Sequence, residues 1–190
     1  MTAFLALQFS HFNMFANVHL TTSLLWTCTG ILAILDVILI MLARRMVRRE
    51  GFKQIRWLLV VASGVFFLLV WICVLWWGWD WFYVYIFPGR ARFLLPPIFC
   101  VGYSLLALGM SWLSLRLPGN PAVTWSLLGG VEGFLSHIYA IYQLGAASKP
   151  PIMQDTNPMV VLIFAVFEKA FYWTLILLAS RMLWKWAKRY

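Results

Sequence analysis

Leu20–Ala43 reads LTTSLLWTCTGILAILDVILIMLA, and Arg44-Arg45-Met46-Val47-Arg48-Arg49 follows without a break. A helix rises about 1.5 Å per residue and the hydrocarbon core of a bilayer is about 30 Å thick, so roughly 20 predominantly apolar residues cross it. Leu20–Ala43 meets that length, holds a single acid in Asp36, and ends on a dense block of arginines. The stretch is expected to be a transmembrane helix with a basic cytoplasmic flank.

Four further runs of this kind lie downstream: Trp57–Trp77, Phe93–Leu115, Pro121–Gln143 and Met159–Leu183. Pro96 and Pro97 fall in the first turn of the third run, where a missing N–H does least harm. Leu117-Pro118-Gly119-Asn120-Pro121 joins the third to the fourth and predicts a tight turn between antiparallel neighbours. The composition agrees. Of 190 residues, 63% are hydrophobic and 11% charged, against about 45–50% and about 25% in a soluble domain. The expected fold is all-α: one polytopic transmembrane helical bundle over residues 1–190 with about five spans.

Met1–His19 is apolar but studded with Gln8, Ser10, His11, Asn13 and Asn17. It lacks the basic start and small-residue cleavage site of a signal peptide. Continued into the first span it would make a helix about 65 Å long, too long for one crossing. The expected form is an interfacial or re-entrant helix; a sixth span is the alternative.

The net charge is +9. Arg44, Arg45, Arg48, Arg49, Lys53 and Arg56 lie in one connection, and Arg181, Lys185, Lys188 and Arg189 at the C-terminus. Both clusters flank apolar runs, so the charge predicts cytoplasmic loops and anionic lipid headgroups as partners, and no nucleic acid. The orientation expected is N-terminus outside, C-terminus inside, in a membrane of unspecified identity. The aromatic run from Trp76 to Tyr85 then forms a belt at the outer interface. Cys28, Cys73 and Cys100 sit singly in apolar runs and read as small hydrophobes.

Candidate chemistry rests on polar residues inside the spans. The chain has six acids, and Asp36, Glu132 and Glu168 fall within apolar runs, as do His137 and Lys169. Ionisable groups in hydrocarbon are expensive and face protein or water, so they mark a functional hypothesis. Glu132 and Glu168 are expected at one depth near mid-span, with His137 about 7 Å outward and Asp36 about 7 Å inward. Tyr172 lies one turn from Glu168 and Ser136 one turn from Glu132, which predicts a hydroxyl neighbour for each acid. Gly129, Gly130 and Gly133 open a face on the fourth span for a neighbouring helix or a flat ligand.

Glu132 and Glu168 are therefore the candidate proton-transferring residues, with His137, Lys169, Tyr172, Gly130, Gly133 and Asp36 as candidate ligand contacts. The ligand class expected is a lipophilic small molecule such as a sterol, quinone or isoprenoid, bound or converted. Three other readings stay open: an interhelical ion pair to Lys169 of structural value only, an accessory subunit of a larger respiratory or photosynthetic complex, and a transporter or proton path, any of them as a homo-oligomer. Whether the chain is an enzyme is left undecided. His11, His19 and His137 could ligate a metal or tetrapyrrole, but no ligand spacing such as HExxH is present. GxSxG, P-loop, GxGxxG and DxD motifs are absent, which leaves hydrolase, kinase and nucleotide-binding readings without a basis.

Phe134-Leu135-Ser136-His137-Ile138, Pro150-Pro151 and Phe167-Glu168 together are similar to one loop-and-helix pair of the emopamil-binding family of small membrane bundles. The similar stretch opens the chain in that family and closes it here, so the chain is not assigned to it. The resemblance implies a sterol-like ligand near intramembrane acids.

Overall fold

The computed structural model describes residues 21–77, 91–139 and 156–189. Residues 1–19 with His11 and His19, and the side chains of the Trp76–Tyr85 run, lie outside the described set. The described residues form five helices and no strand: α1 Thr22–Met46, α2 Arg49–Trp77, α3 Ala91–Arg116, α4 Pro121–Ile138 and α5 Pro158–Ala187. Four of them, α1, α2, α3 and α5, are long and apolar enough to cross a membrane. The chain is an integral membrane helical bundle. α4 carries Glu132, His137 and three glycines, which dilute its apolar character, and it runs beside α5 along its length.

Local chemistry sets the helix starts. Thr21 caps α1, its side chain accepting from the Leu24 amide at 3.2 Å. Asn120 and Asn157 do the same for α4 and α5, accepting from Ala122 and Met159, each at 2.9 Å. Pro121 and Pro158 follow these caps, where the missing N–H is no loss. The turn before α4 needs Gly119, whose φ of 99° is a conformation that side chains disfavour.

One boundary differs from expectation. α2 starts at Arg49, about two turns before the apolar run at Trp57, so the basic connection shrinks to Val47 and Arg48. Glu, Lys, Gln and Arg are good helix formers, and Lys53 pairs with Glu50 at 2.9 Å one turn away. Apolar counting locates where a helix meets hydrocarbon, not where it begins.

Contacts between termini fix the topology. Asn120 donates to the Arg44 carbonyl at 3.4 Å, the Arg49 guanidinium donates to the Leu115 carbonyl, and Arg181 packs on Gly51. The end of α1, the start of α2, the end of α3, the start of α4 and the end of α5 therefore share one basic end of the bundle. At the other end, the Asn157 amide donates to Thr22 Oγ1 at 3.2 Å, joining the starts of α1 and α5. Neighbours in sequence thus run antiparallel, while α1 and α5 run parallel.

α5 is the central helix. Half of its most apolar window is buried, against 17%, 28% and 22% for α1, α2 and α3. α1 touches the rest through one stripe of Leu25, Thr29, Asp36 and Ala43, and its other faces carry exposed Ile31, Ile34, Val37 and Ile38. Apolar exposure of that extent fits lipid as the solvent. The core has two parts. One, near the basic end, gathers Phe52, Ile55, Leu59, Met110, Trp125, Trp173 and Leu177; the other, near the opposite end, gathers Leu25, Val160, Val161 and Leu162.

Candidate functional site

Between these two apolar clusters lies a polar node built from four helices. It depends on the closeness of α4 and α5. A Cβ at Gly129 would meet Trp173 Cδ1 at 2.5 Å, one at Gly130 would meet Val166 at 3.2 Å, and one at Gly133 would meet Lys169 Cγ at 2.6 Å. The glycine face is filled by α5, the close helix packing that small residues permit. Interhelical bonds run down the same seam: Trp125 Nε1 donates to the Trp173 carbonyl at 2.7 Å, and Thr174 Oγ1 donates to Ser126 Oγ at 2.7 Å. Such bonds average about 0.6 kcal/mol within membranes, so they fix register more than they add stability.

Glu132 is the centre of the node. Its Oε1 accepts from Tyr103 Oη on α3 at 3.1 Å, and its Oε2 accepts from Trp173 Nε1 on α5 at 3.1 Å. The ring of Tyr103 stacks on Phe67 of α2, with centroids 3.4 Å apart, and lies nearly parallel to Trp173 at 5.8 Å. Lys169 sits in the same aromatic group. Its Nζ is 5.4 Å from the Phe67 ring centroid, 5.7 Å from Tyr103 and 5.2 Å from Tyr172. Cations favour ring faces, more so when water is scarce, so the cage suits a lysine inside a bundle. Tyr103 joins the two halves: its hydroxyl holds Glu132 and its ring faces Lys169.

His137 lies one turn beyond Gly133. Its Nδ1 is 2.9 Å from the Gly133 carbonyl, which can only accept, so this geometry places a proton on Nδ1 and leaves Nε2 as the acceptor of the neutral ring. Tyr172 meets the Trp173 ring edge-on, with centroids 5.5 Å apart, and Lys169 packs beside Gly133. Glu132, His137, Lys169 and Tyr172 are therefore brought together, and Glu168 precedes Lys169 on α5. Asp36 is apart from them. It is 3% exposed on α1, and neither of its oxygens has a hydrogen-bond partner among the described residues.

Ser136 and Tyr172 lie one turn from Glu132 and Glu168 on the same helices, but neither hydroxyl bonds its acid among the described residues. Ser136 Oγ donates to the Gly133 carbonyl at 3.2 Å, the usual local alternative for a helical serine. The Tyr172 hydroxyl is buried with no hydrogen-bond partner among the described residues. Sharing a helix face was not enough, and Glu132 takes its hydroxyl from Tyr103 on another helix. Tyr103, Trp173 and Phe67 were not anticipated. The available signal was that Tyr and Trp in hydrocarbon need a partner for their polar tips.

No group of three or more His, Cys, Asp or Glu among the described residues could hold a metal ion. Among the described residues, Cys28 and Cys100 are free thiols. Comparison with protein-family models, curated proteins and solved structures gives no match.

Proposed function

We propose that the polar node binds or converts a lipophilic small molecule of the sterol, quinone or isoprenoid kind, with Glu132 as the proton-exchanging group. The observation that carries this reading is the grip on Glu132: donors from α3 and α5 hold both its oxygens inside an apolar bundle. A carboxylate fixed by two helices in hydrocarbon is an expensive arrangement, and such residues mark ligand or proton chemistry. Glu168 is the second acid of the node, and His137 supplies a ring nitrogen able to pass a proton on. Lys169 is the charge partner, Tyr172 offers an unengaged hydroxyl, and Gly130 and Gly133 let α5 carry these groups close to α4.

The test is to purify the full chain and identify by mass spectrometry the small molecules extracted with it. A defined apolar compound held by the parent protein and lost from Glu132→Gln is the expected result. Bulk phospholipid alone, unchanged by the substitution, would remove the proposal.

A second reading, a proton path, is favoured by Asp36, whose two buried oxygens lack hydrogen-bond partners among the described residues and lie on the basic-end side of Glu132. In vesicles loaded with a pH-sensitive dye, it predicts proton leakage that Asp36→Asn abolishes. Leakage at the rate of empty vesicles would rule it out.

A further inference from the structure

The six basic residues around the α1–α2 connection do not act alike. Arg49 donates to the Leu115 carbonyl at the end of α3, Arg56 donates to Ser111 Oγ at 3.2 Å, and Lys53 is paired with Glu50. Those three tie the basic end of the bundle together. Arg44, Arg45 and Arg48 are exposed instead, and with Met41 they line an open concavity of about 560 Å³. Arg45 and Arg48 also line a second one of about 400 Å³, shared with Met46, Glu50, Gly51, Gln54 and Arg181. Glu50 is the one carboxylate there, and it already holds Lys53. Arg181 lies flat against Gly51, where an added Cβ would come within 3.2 Å of its Cζ, and its buried Nε has no hydrogen-bond partner among the described residues. A general excess of positive charge at one end of the bundle accounts for the number of arginines but not for their place around two adjoining hollows.

The approach to these hollows is apolar. Ile34, Val37, Ile38 and Met41 recur at helical spacing on α1 and are 65%, 59%, 56% and 51% exposed. The stripe ends at Arg44, Arg45 and Arg48. Guanidinium groups bind phosphate in a fork, with charge and hydrogen bonds acting together. An apolar stripe leading into a fork of guanidiniums matches acyl chain and headgroup in one molecule.

We propose that Arg44, Arg45 and Arg48, with Arg181 from α5, form a binding site for the phosphate of an anionic phospholipid whose acyl chain lies along Ile34–Met41 of α1. The site is separate from the polar node, and its test is independent of that reading.

The full chain is reconstituted in vesicles of phosphatidylcholine and phosphatidylglycerol, extracted in mild detergent, and the lipids it retains are counted by native mass spectrometry. The parent protein is expected to retain phosphatidylglycerol in preference to phosphatidylcholine. Arg45→Ala/Arg48→Ala is expected to weaken retention about thirtyfold, from roughly 1 kcal/mol per arginine near an anionic surface. Lys185→Ala/Lys188→Ala removes the same charge from the same end outside both hollows, and should weaken retention far less, by the diffuse attraction alone. Arg45→Lys/Arg48→Lys keeps the charge without the fork, should fall between parent and alanine variant, and carries the test if the alanine variant does not fold. Three results would overturn the proposal: no preference for phosphatidylglycerol, equal loss in the Arg and Lys alanine variants, or displacement of the lipid by inorganic phosphate as readily as by short-chain phosphatidylglycerol.

Discussion

Glu132 and Asp36 are both acids inside apolar helices, but their surroundings give substitution opposite signs. Glu132→Leu takes the acceptor from Trp173 Nε1, on a side chain that is fully buried, and one hydrogen bond from Tyr103 Oη. An unsatisfied buried donor costs about 1–3 kcal/mol, so thermal unfolding in detergent should show a loss of at least that size. Asp36→Leu removes two buried oxygens that have no hydrogen-bond partner among the described residues. It should raise stability by about 1–3 kcal/mol on the same scale. A destabilised Asp36→Leu would mean that Asp36 has a partner the present account lacks. The presence of acids in the spans was legible in the sequence, because charge in an apolar run stands out by composition alone. Their partners were not. Tyr103 and Phe67 come from distant runs, and helices apolar on every side do not show which side faces the bundle.

At the scale of the helix, glycines differ in what a methyl group would meet. Gly129→Ala would drive a Cβ into Trp173 and should destabilise by about 1–3 kcal/mol through overpacking. Gly109 of α3 has nothing within 4 Å, so Gly109→Ala should be neutral or stabilising by up to about 1 kcal/mol, from helix propensity. Equal effects at the two positions would mean that the α4–α5 seam is not as close as described. The small-residue spacing Gly129–Gly133 pointed to a close approach, and the face is filled by a helix of the same chain. Gly64 gave no such warning, since a lone glycine in an apolar run has no spacing to read, yet a Cβ there would collide with Ser104 and Cys100 of α3. At the α3–α4 turn, Asn120→Ala should cost about 1 kcal/mol from the lost cap, together with the bond to the Arg44 carbonyl.

For the whole molecule, span lengths and the antiparallel α3–α4 turn were readable because they depend on local composition and on Gly119 and the flanking prolines. The packing order was not, since α1 and α5 meet across the length of the chain. Five helix ends with their arginines and lysines share one end of the bundle, and the excess of positive charge predicts that this end is cytoplasmic. A thiol-reactive probe that cannot cross membranes should label a cysteine placed at Asn157 from outside intact cells and one placed at Gly119 only after lysis. The reverse pattern would invert the orientation. The most direct test of the proposed ligand site is what the purified chain retains. Mass spectrometry of small molecules extracted from the parent protein and from Glu132→Gln should show one apolar compound enriched over bulk lipid. Losing a hydrogen bond to a charged group is worth about 1.5–3 kcal/mol, so the variant should retain at least about tenfold less of it. Identical extracts from two equally folded proteins would contradict the account.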